Sequence, residues 1–569
     1  MKKILSFALL LIGLLLVACD KGPKTNAEIT IKTITPARDS VYISLDVVDV
    51  DKEITEGSIT ALIKEEKVEV QRKVAEAIID ENNKTIIGYK VEITGLKVGY
   101  EYSLEIFATI DKKLHTFVKE TFKTTTAGSS SLDPKYISTV EEFLLMETDN
   151  KAFYKLSNDL DFTGVDYRTI FVISRFEGTL DGAGYTLKNI TINERSTYTA
   201  IFGRVSGTIT NLKIDNMNLT LAGINKHSQY IGLLVGRHQG TINDVEVTNS
   251  QISTEFNYTG KIYVGGLIGY GDTDSIVNNA NVNVTIDVKS TTQSEYFVGG
   301  LAGYIISSKL ENSNVNVILN LEHAYKSIVG GVVGFSTSSG NKHSKILTTK
   351  TNFNLNLSTA VTYIRTNHET SKPEIIEVIV GGFVGKTMET ETKESIAISN
   401  ININRARVLA IGGSNDLLVI SGFIGALYNA SSLDNTYYET TITTNILEED
   451  LKNLFDQVYI TGSVGISSGG TFNKASGKLN VDVVNFAPIM QITPLNGVVI
   501  VNPETPLVSN GDYFNSTIKV ENVTYTNEAL LVVELDPDLK TYEVKETILT
   551  PKEMADYYTS TFVKENLNQ

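Results

Sequence analysis

Tryptophan is absent from this chain of 569 residues, and cysteine occurs only once. A single cysteine excludes a framework of intramolecular disulfide bonds. The six histidines are scattered and form no His-Glu-x-x-His motif, so the sequence predicts neither a zinc site nor any cofactor. No apolar run beyond the N-terminus approaches the roughly 20 residues that span a bilayer. The formal net charge of −16 argues against nucleic acid and anionic lipid surfaces as partners.

The N-terminus predicts a lipoprotein signal peptide. Two lysines precede an apolar run over 4–17, and Leu16-Val-Ala-Cys19 resembles a bacterial lipobox, whose cysteine becomes lipid-modified. We predict a signal over 1–18, a tether over 19–26 and a membrane anchor through Cys19. The alternative is an ordinary secretory signal with an incidental cysteine. Removal of the signal would take away two lysines and no acid, so the mature charge would be −18.

Residues 27–126 predict a β-sandwich, because short segments of alternating polar and apolar residues are separated by turn residues. Leu96-Lys-Val-Gly-Tyr-Glu-Tyr102 resembles the tyrosine corner of fibronectin type III domains, although the tryptophan of that family is missing. The hydroxyl of Tyr102 is therefore expected to hydrogen-bond the backbone. The resemblance implies a spacer module, and the small residues over 127–134 predict a linker after it.

A glycine-rich segment recurs through the middle of the chain, in the form Val264-Gly-Gly-Leu-Ile-Gly269. Its closing glycines are 33, 33, 34, 31, 51 and 40 residues apart. Repeats of roughly 20–50 residues indicate a solenoid. The closing glycines are Gly203, Gly236, Gly269, Gly303, Gly334, Gly385 and Gly425.

Each copy continues with apolar residues in alternation, such as Val282, Val284 and Ile286, which predicts strands with one buried face. One copy cannot bury its apolar edge alone, so the copies must stack, at about 4.8 Å per coil. We predict an all-β chain: a β-sandwich followed by a right-handed parallel β-helix over 135–487, with short capping helices. The glycine pairs would supply a bend, or a place without room for a Cβ.

An Asn or Asp follows an apolar residue by two positions in most copies. Stacked coils would place these side chains above one another, each amide hydrogen-bonding the copies on either side. A row of ligand contacts is the alternative interpretation. These residues are Asn211, Asp244, Asn279, Asn312, Asn400 and Asn435.

The repeats also resemble a known family. Gly266-Leu-Ile-Gly269 and Gly300-Leu-Ala-Gly303 match the core of GLUG-type repeats, found in bacterial surface proteins and in the β-helical region of IgA-specific metallopeptidases. The resemblance covers about 140–470 and implies a scaffold, while a repeat by itself assigns no activity.

Two further helices are predicted besides a capping helix at Thr139-Val-Glu-Glu142, which has capping-box spacing. One covers 448–456, and the other follows Thr550-Pro-Lys-Glu553. Residues 488–569 are interpreted as strands and a helix that cap the solenoid, with an independent small domain as the alternative.

The search for chemistry is mostly negative. Gly465-Ile-Ser-Ser-Gly469 has the spelling of a nucleophile elbow but no helix after it. Acidic pairs at 49/51, 159/161 and 272/274 would each be incomplete as calcium sites. Carboxylates on adjacent coils would suit a polysaccharide-cleaving β-helix, but no specific pair emerges. Five tyrosines beside the insertions are candidates for stacking on sugars, with packing as the commoner role: Tyr258, Tyr263, Tyr296, Tyr325 and Tyr363.

The sequence therefore predicts a lipid-anchored, extracytoplasmic surface protein. Its partner would be an extracellular glycan or protein bound by multivalent contact, without catalysis. A carbohydrate-active enzyme and a purely structural envelope component are the alternatives. The long insertion between Gly334 and Gly385, roughly 341–377, is the first place to expect a contact.

Overall fold

The structure is a computed structural model. It divides the chain into two compact units, Met1–Thr126 and Ala127–Gln569. Side chains are described as far as 482, and Cys19 and the predicted signal lie outside the described residues. The described residues are 25–548 without 56, 80–85, 166–172, 194–195, 224–226, 257–259, 291–293, 323–325, 362–376, 409–416, 445–456, 469, 485–489, 494–495, 502–506, 514–516, 522–524, 527–530 and 535–544.

The first unit is a sandwich of two antiparallel sheets, as its alternating pattern predicts. Its strands are β1 Glu28–Pro36, β2 Ser40–Val48, β3 Thr60–Glu65, β4 Val68–Val74, β5 Glu76–Ile79, β6 Ile86–Thr94, β7 Glu101–Ile110 and β8 Lys113–Lys123. One sheet has the order β1-β2-β6-β5 and the other β4-β3-β7-β8. Inward residues such as Val41, Ile43 and Leu104 are fully buried, and they form one apolar core.

Tyr102 lies at the start of β7 (Glu101–Ile110) and is buried. Its hydroxyl accepts a hydrogen bond of 2.9 Å from the backbone N–H of Lys97, and its ring stacks on Phe122 at 5.7 Å. This is the backbone contact that the tyrosine-corner motif predicts.

The second unit is a parallel β-helix made of three sheets, and each coil contributes to all three in turn. The strands of sheet 1 are Tyr198–Thr199, Gln229–Gly232, Lys261–Gly265, Glu295–Gly299, Lys326–Gly330, Glu377–Gly381, Leu417–Ser421, Gln457–Thr461, Met490–Thr493 and Tyr525–Thr526. Those of sheet 2 are Ile173–Phe176, Phe202–Val205, Val235–His238, Ile268–Gly271, Ala302–Ile306, Val333–Thr337, Val384–Met388, Ile424–Tyr428, Val464–Ser468, Asn496–Val501 and Leu531–Glu534.

Sheet 3 carries the longest strands and forms the broadest wall of the β-helix. Its strands are Lys135–Ile137, Phe153–Leu156, Leu160–Asp161, Thr179–Asp181, Thr186–Lys188, Thr191–Ile192, Thr208–Asp215, Asn218–Gly223, Thr241–Phe256, Ile276–Ser290, Lys309–Glu311, Asn314–Glu322, Ser344–Leu347, Lys350–Val361, Thr390–Lys393, Ile396–Val408, Ser432–Thr444, Gly470–Val484, Leu507–Tyr513, Thr517–Glu521 and Lys545–Ile548.

The in-register pairing explains why the coils stack. Val282 pairs with Val315, and the next inward residue, Val284, pairs with Val317, so apolar residues face the interior on every coil. These residues belong to a single core that runs along the β-helix. Since the outward residues do not contribute to this core, their identity is free to vary.

A short helix closes the first coil, as its capping box predicts. Helix α1, Val140–Leu144, is followed by a 3-10 helix, Leu145–Asp149. The hydroxyl of Thr139 accepts from the backbone N–H of Glu142, and the Glu142 carboxylate accepts from the N–H of Thr139. Phe143 is completely buried against Phe162 and Phe202, so α1 covers the end of the apolar core.

The β-helix extends beyond the predicted end at 487. Val458 pairs with Met490 in sheet 1, and the pairing of sheet 3 continues to Lys545–Ile548. The described strands after 488 therefore continue the β-helix, where capping strands or an independent small domain were predicted. The helices predicted at 448–456 and after Thr550 lie outside the described residues.

The sequence predicts that one insertion over 341–377 causes the long separation between Gly334 and Gly385. The structure shows that it does not. Residues 344–361 form regular strands of sheet 3. The extra length falls on a turn near Ser339, which forms an isolated bridge with Lys342, and on 362–376, which lie outside the described residues. The prediction was wrong because alternating Asn and apolar residues were not recognised as a strand.

Candidate functional site

The closing glycines lie where sheet 2 passes close to the backbone of sheet 1. A Cβ on Gly269 would be 2.5 Å from the backbone nitrogen of Ile231, and one on Gly303 would be 2.6 Å from that of Val264. Backbone atoms of sheet 1 also lie within 3.1 Å of the built Cβ at Gly236, Gly334, Gly385 and Gly425. At Gly203 the nearest atom is the Ser174 carbonyl oxygen in the neighbouring strand of sheet 2, at 2.8 Å. None of these residues has a left-handed φ. The repeat glycines are therefore required by close approach and not by backbone dihedral angle.

The glycine before each Leu or Val at this corner is equally confined. A Cβ on Gly266 would lie 2.1 Å from the carbonyl oxygen of Gly300, and one on Gly300 would lie 2.2 Å from that of Gly331. We call this stacked turn between sheets 1 and 2 the glycine corner. Gly465, the first residue of the nucleophile-elbow spelling, occupies the next closing position, with its Cβ position 2.4 Å from the Gly425 oxygen.

The recurrent Asn and Asp residues mark a bend within sheet 3. At this bend the backbone takes a left-handed φ between 47° and 54°, a region that Asn and Asp tolerate better than most residues. Strand pairing places Thr348 and Glu394 at the same bend in their coils. The residues at the bend are Asn211, Asp244, Asn279, Asn312, Thr348, Glu394 and Asn435.

Asn400 is not part of this bend, and its predicted place in the ladder is wrong. It lies in the strand Ile396–Val408, pairs with Asn354 and donates a side-chain hydrogen bond of 3.1 Å to it. The predicted copy-to-copy bonding holds between Asn279 and Asp244 at 2.5 Å. Asn312 instead donates to Asn278, so the shared backbone conformation is the more constant property of the bend.

A polar groove runs along the outer side of the bend in the first coils. Its volume is about 670 Å³, and charged side chains and amides line it. Lys155 pairs with Asp181 at 3.1 Å, and Lys213 pairs with Glu246 of the next coil at 3.6 Å. The lining residues are Lys155, Asp181, Ala183, Gly184, Asn211, Lys213, Asp244, Val245, Glu246, Asn279 and Asn281.

Asp181 is a carboxylate of the polar groove whose neighbours favour its ionised form. Partial burial opposes its ionisation, but the N–H of Ala183, the amide of Asn211 and Lys155 together outweigh it and hold the pKa of Asp181 below its ordinary value. A carboxyl group in this state stays ionised at neutral pH and is a poor proton donor. It is suited to accepting hydrogen bonds from a ligand.

A second polar surface lies further along the strands of sheet 3, where outward residues of five coils stack in three columns. The first column holds Asn283, Asn316 and Asn352, the second Thr285, Asn354, Asn400 and Thr441, and the third Asp287, Asn320, Asn356, Asn402 and Thr443. Ile318 and Ile398 interrupt it. We call it the amide face.

Sequence reasoning missed the amide face, although a signal for it exists. Thr351-Asn-Phe-Asn-Leu-Asn-Leu357 alternates amides with large apolar residues, and Phe353 and Leu355 are buried. Period-2 alternation places all the amides of such a strand on its outward side. Alignment between coils then depends on register, which unequal repeat lengths conceal.

Of the five tyrosines proposed to stack on sugars, the two that the structure describes do not present their rings to solvent. Tyr296 is fully buried in the interior, and Tyr263 is 8% exposed. The Tyr263 ring stacks between Tyr230 and Phe297 at 5.1 Å on both sides, in an aromatic cluster outside the glycine corner. Its ring faces are thus already covered, which assigns a packing role. Tyr258, Tyr325 and Tyr363 lie outside the described residues.

The acidic pairs that were considered for calcium have protein partners. Asp159 pairs with Lys188 at 2.6 Å, Asp272 with Arg237, and Asp274 with Lys342. The two carboxylate oxygens of Asp49 accept from the backbone of its own turn. Across the part of the chain that the structure describes, no group of three or more His, Cys, Asp or Glu side chains has the geometry of a metal site.

His238 is a histidine whose pKa is strongly perturbed by its surroundings. It is completely buried inside the β-helix, and its Nδ1 lies 2.6 Å from the hydroxyl oxygen of Ser275. Burial lowers the pKa of His238 to about 3. The imidazole is therefore neutral and part of the core, with no route for a substrate to reach it.

Comparison with known proteins gives a distant sequence relative and two distant structural alignments. No family model matches the chain. Over 214 residues the chain is 27% identical to halomucin of Haloquadratum walsbyi, a match that covers 35% of this chain and 2% of halomucin. No helix among the described residues is long and apolar enough to cross a membrane.

Both solved structures are distant. An IgA1 protease aligns with a TM-score of 0.29 and 11% identity, covering 87% of this chain and 29% of its own. A family 28 exopolygalacturonase of Yersinia enterocolitica aligns with a TM-score of 0.19 and 10% identity, covering 89% of this chain and 98% of its own. The parallel β-helix fold itself rests on the strand pairings described above.

Proposed function

We propose that this protein is a lipid-anchored, extracytoplasmic surface protein that binds a glycan or protein partner without covalent chemistry. The polar groove carries the proposal, since it is an open concave surface on a rigid wall with acceptors, amides and cations in fixed positions. The sandwich would act as a fibronectin-like spacer between the lipid at Cys19 and a β-helix of GLUG-type repeats.

Polysaccharide cleavage is the second candidate, because Asp181, Asp244 and Glu246 line the same groove. A glycosidase of the usual kind needs one carboxyl group with a raised pKa as its general acid. The lowered pKa of Asp181 and the pairing of Glu246 with Lys213 favour binding over cleavage.

A binding experiment separates these functions. The full-length protein in detergent micelles is applied to an array of polysaccharides and matrix proteins, and retained protein and released fragments are recorded. Retention without fragments supports the proposal, whereas fragments that accumulate with time would establish cleavage. Retention on no ligand would contradict both.

Lys213→Ala tests whether the polar groove is the contact. This lysine is half exposed and pairs across coils at 3.6 Å, as does Lys261 on sheet 1, which makes Lys261→Ala a matched control. We expect Lys213→Ala to weaken retention by about tenfold, the effect of losing one charged contact, and Lys261→Ala to leave it unchanged. Equal effects of both variants would exclude the groove.

A separate experiment tests the proposed lipid modification of Cys19. Cells fed a palmitate analogue should label the wild-type protein and not Cys19→Ser, since the chain has no other cysteine. An unlabelled wild-type protein would show that the lipobox assignment is wrong.

A further inference from the structure

The third column of the amide face is a continuous hydrogen-bonded ladder over five coils. The amide of Asn320 donates to Asp287 at 2.6 Å, that of Asn356 to Asn320 at 2.8 Å, and that of Asn402 to Asn356 at 3.3 Å. The hydroxyl of Thr443 closes the ladder by donating to Asn402 at 2.7 Å. The ladder therefore fixes the orientation of every amide in the column.

The ladder leaves half of the hydrogen-bonding capacity of each amide unused. A carboxamide has two N–H donors and two lone pairs, and a rung such as Asn356 uses one donor and one lone pair for its neighbours. Asn400 and Asn402 are exposed, so the remaining groups face water. The three Asn rungs of the ladder thus each present a spare donor and a spare acceptor, about 4.8 Å apart along the axis.

The chemistry of the face excludes most kinds of partner. Over these five coils its columns contain two acids, Asp287 and Glu439, and no Lys or Arg. The next coil adds one cation, Lys478, and one acid, Asp482, so the face has no excess of positive charge for an anionic polymer. Its main exposed apolar residue is Ile318, at 45% exposure, which is too little for the apolar centre of a protein interface. The amide face mainly offers neutral hydrogen-bond donors and acceptors. These match partner groups that both donate and accept hydrogen bonds, such as sugar hydroxyls.

We propose that the amide face binds an uncharged polysaccharide chain lying along the axis of the β-helix, with sugar hydroxyls contacting successive rungs. Each contact is weak, but contacts at a regular spacing on a rigid wall add up along one extended chain. The inference names a ligand class for the proposed surface function and does not require the polar groove to bind anything.

Asn354→Asp is the variant that separates recognition from folding. The carboxamide oxygen of Asn354 accepts from Asn400, and its own N–H groups have no side-chain partner among the described residues. An Asp keeps the accepting oxygen and the shape. It replaces the N–H donors with an ionised oxygen, so it removes the outward donor and adds one negative charge. Asn218→Ala, an outward amide of sheet 3 in an earlier coil, is the control.

The experiment measures binding of the full-length protein in micelles to cellohexaose, laminarin, dextran and mannan, with polygalacturonate and heparin as charged probes. We expect at least one neutral polymer to bind with an affinity that added salt does not change, since no ion pair forms. Asn354→Asp should weaken it by about tenfold, the effect of losing a repeated contact, while Asn218→Ala should not. Circular dichroism and the melting temperature should stay those of the wild type.

Four results would overturn the inference. The first two are binding of charged polymers alone and equal binding by Asn354→Asp and wild type. The third is loss of neutral-polymer binding in Lys213→Ala but not in Asn354→Asp, which would place the glycan in the polar groove and leave the proposed function standing. Retention of matrix proteins with no retention of any polysaccharide would likewise reject only the amide face.

Discussion

The glycine corner and the amide face belong to the same coils, but they are constrained in opposite ways. At the corner, backbone atoms of neighbouring strands lie so close that Gly300 has no room for a Cβ. At the amide face, strand pairing fixes only which residues point outward, and Asn, Thr and Asp all occur there. Sequence repetition therefore marks where the backbone is crowded, and the surface available for recognition lies where repetition is weak.

Gly300→Ala should have the largest effect. Its Cβ would lie 2.2 Å from the carbonyl oxygen of Gly331, and backbone cannot move without disturbing the next coil. We expect a loss of about 3 kcal/mol or more in the free energy of unfolding, measured by urea denaturation. Gly184→Ala is the control, because its φ is +80° with open space around it, and it should cost about 1–2 kcal/mol. Equal losses would mean that close approach is not the reason for the repeat.

Tyr263→Ala extends the comparison to side chains. Its ring is stacked on both faces and 92% of the residue is buried, as its 8% exposure shows, so truncation should cost about 3 kcal/mol. Asn356→Ala, in the outward ladder, should cost about 0.5 kcal/mol or less, the usual range for surface positions. Denaturation midpoints of the two variants measured side by side check this. A larger loss for Asn356→Ala would show that the ladder is mainly structural.

The two regions should also differ in their response to pH. His238 ends a strand of sheet 2 that starts at the glycine corner, and its pKa is about 3 in place of the ordinary 6.5. Below pH 6.5 the unfolded chain binds a proton that the folded chain does not, so stability falls as pH drops through the window from 6.5 to 3. The expected slope is about 1.4 kcal/mol per pH unit, or about 2 kcal/mol by pH 5.

Urea denaturation at pH 6.5 and pH 5 measures this difference. His238→Gln keeps a polar side chain but cannot titrate, so its stability should change less over the same interval by about 2 kcal/mol. Parallel pH profiles for the wild type and the variant would contradict a neutral, buried His238. The neutral amides of the face give no titration of this kind.

The sequence predicts the fold well because the fold depends on local signals. Alternating polar and apolar residues predict the strands, and the recurrent glycines predict the glycine corner. Thr139 and Glu142 predict the capping helix. The amide face depends instead on which residue of one coil lies above which residue of the next. Pairing of Asn354 with Asn400 spans coils of unequal length, and no local pattern fixes that register. Because the sequence does not reveal this register, Asn400 was wrongly predicted to lie in the row of Asn and Asp residues at the bend.

Thr348→Asn should have the smallest effect and the opposite sign. Thr348 holds a φ of 47° at the bend of sheet 3, where the neighbouring coil has Asn312 at 51°. A β-branched residue is strained in this region and Asn much less so, so the variant should gain about 0.5–1 kcal/mol in stability. Thr285→Asn makes the same change on a strand of the amide face and should be neutral within about 0.5 kcal/mol. If both variants gain equally, the benefit comes from adding an amide and not from relieving the backbone, and Asn at the bend would then serve the ladder rather than the turn.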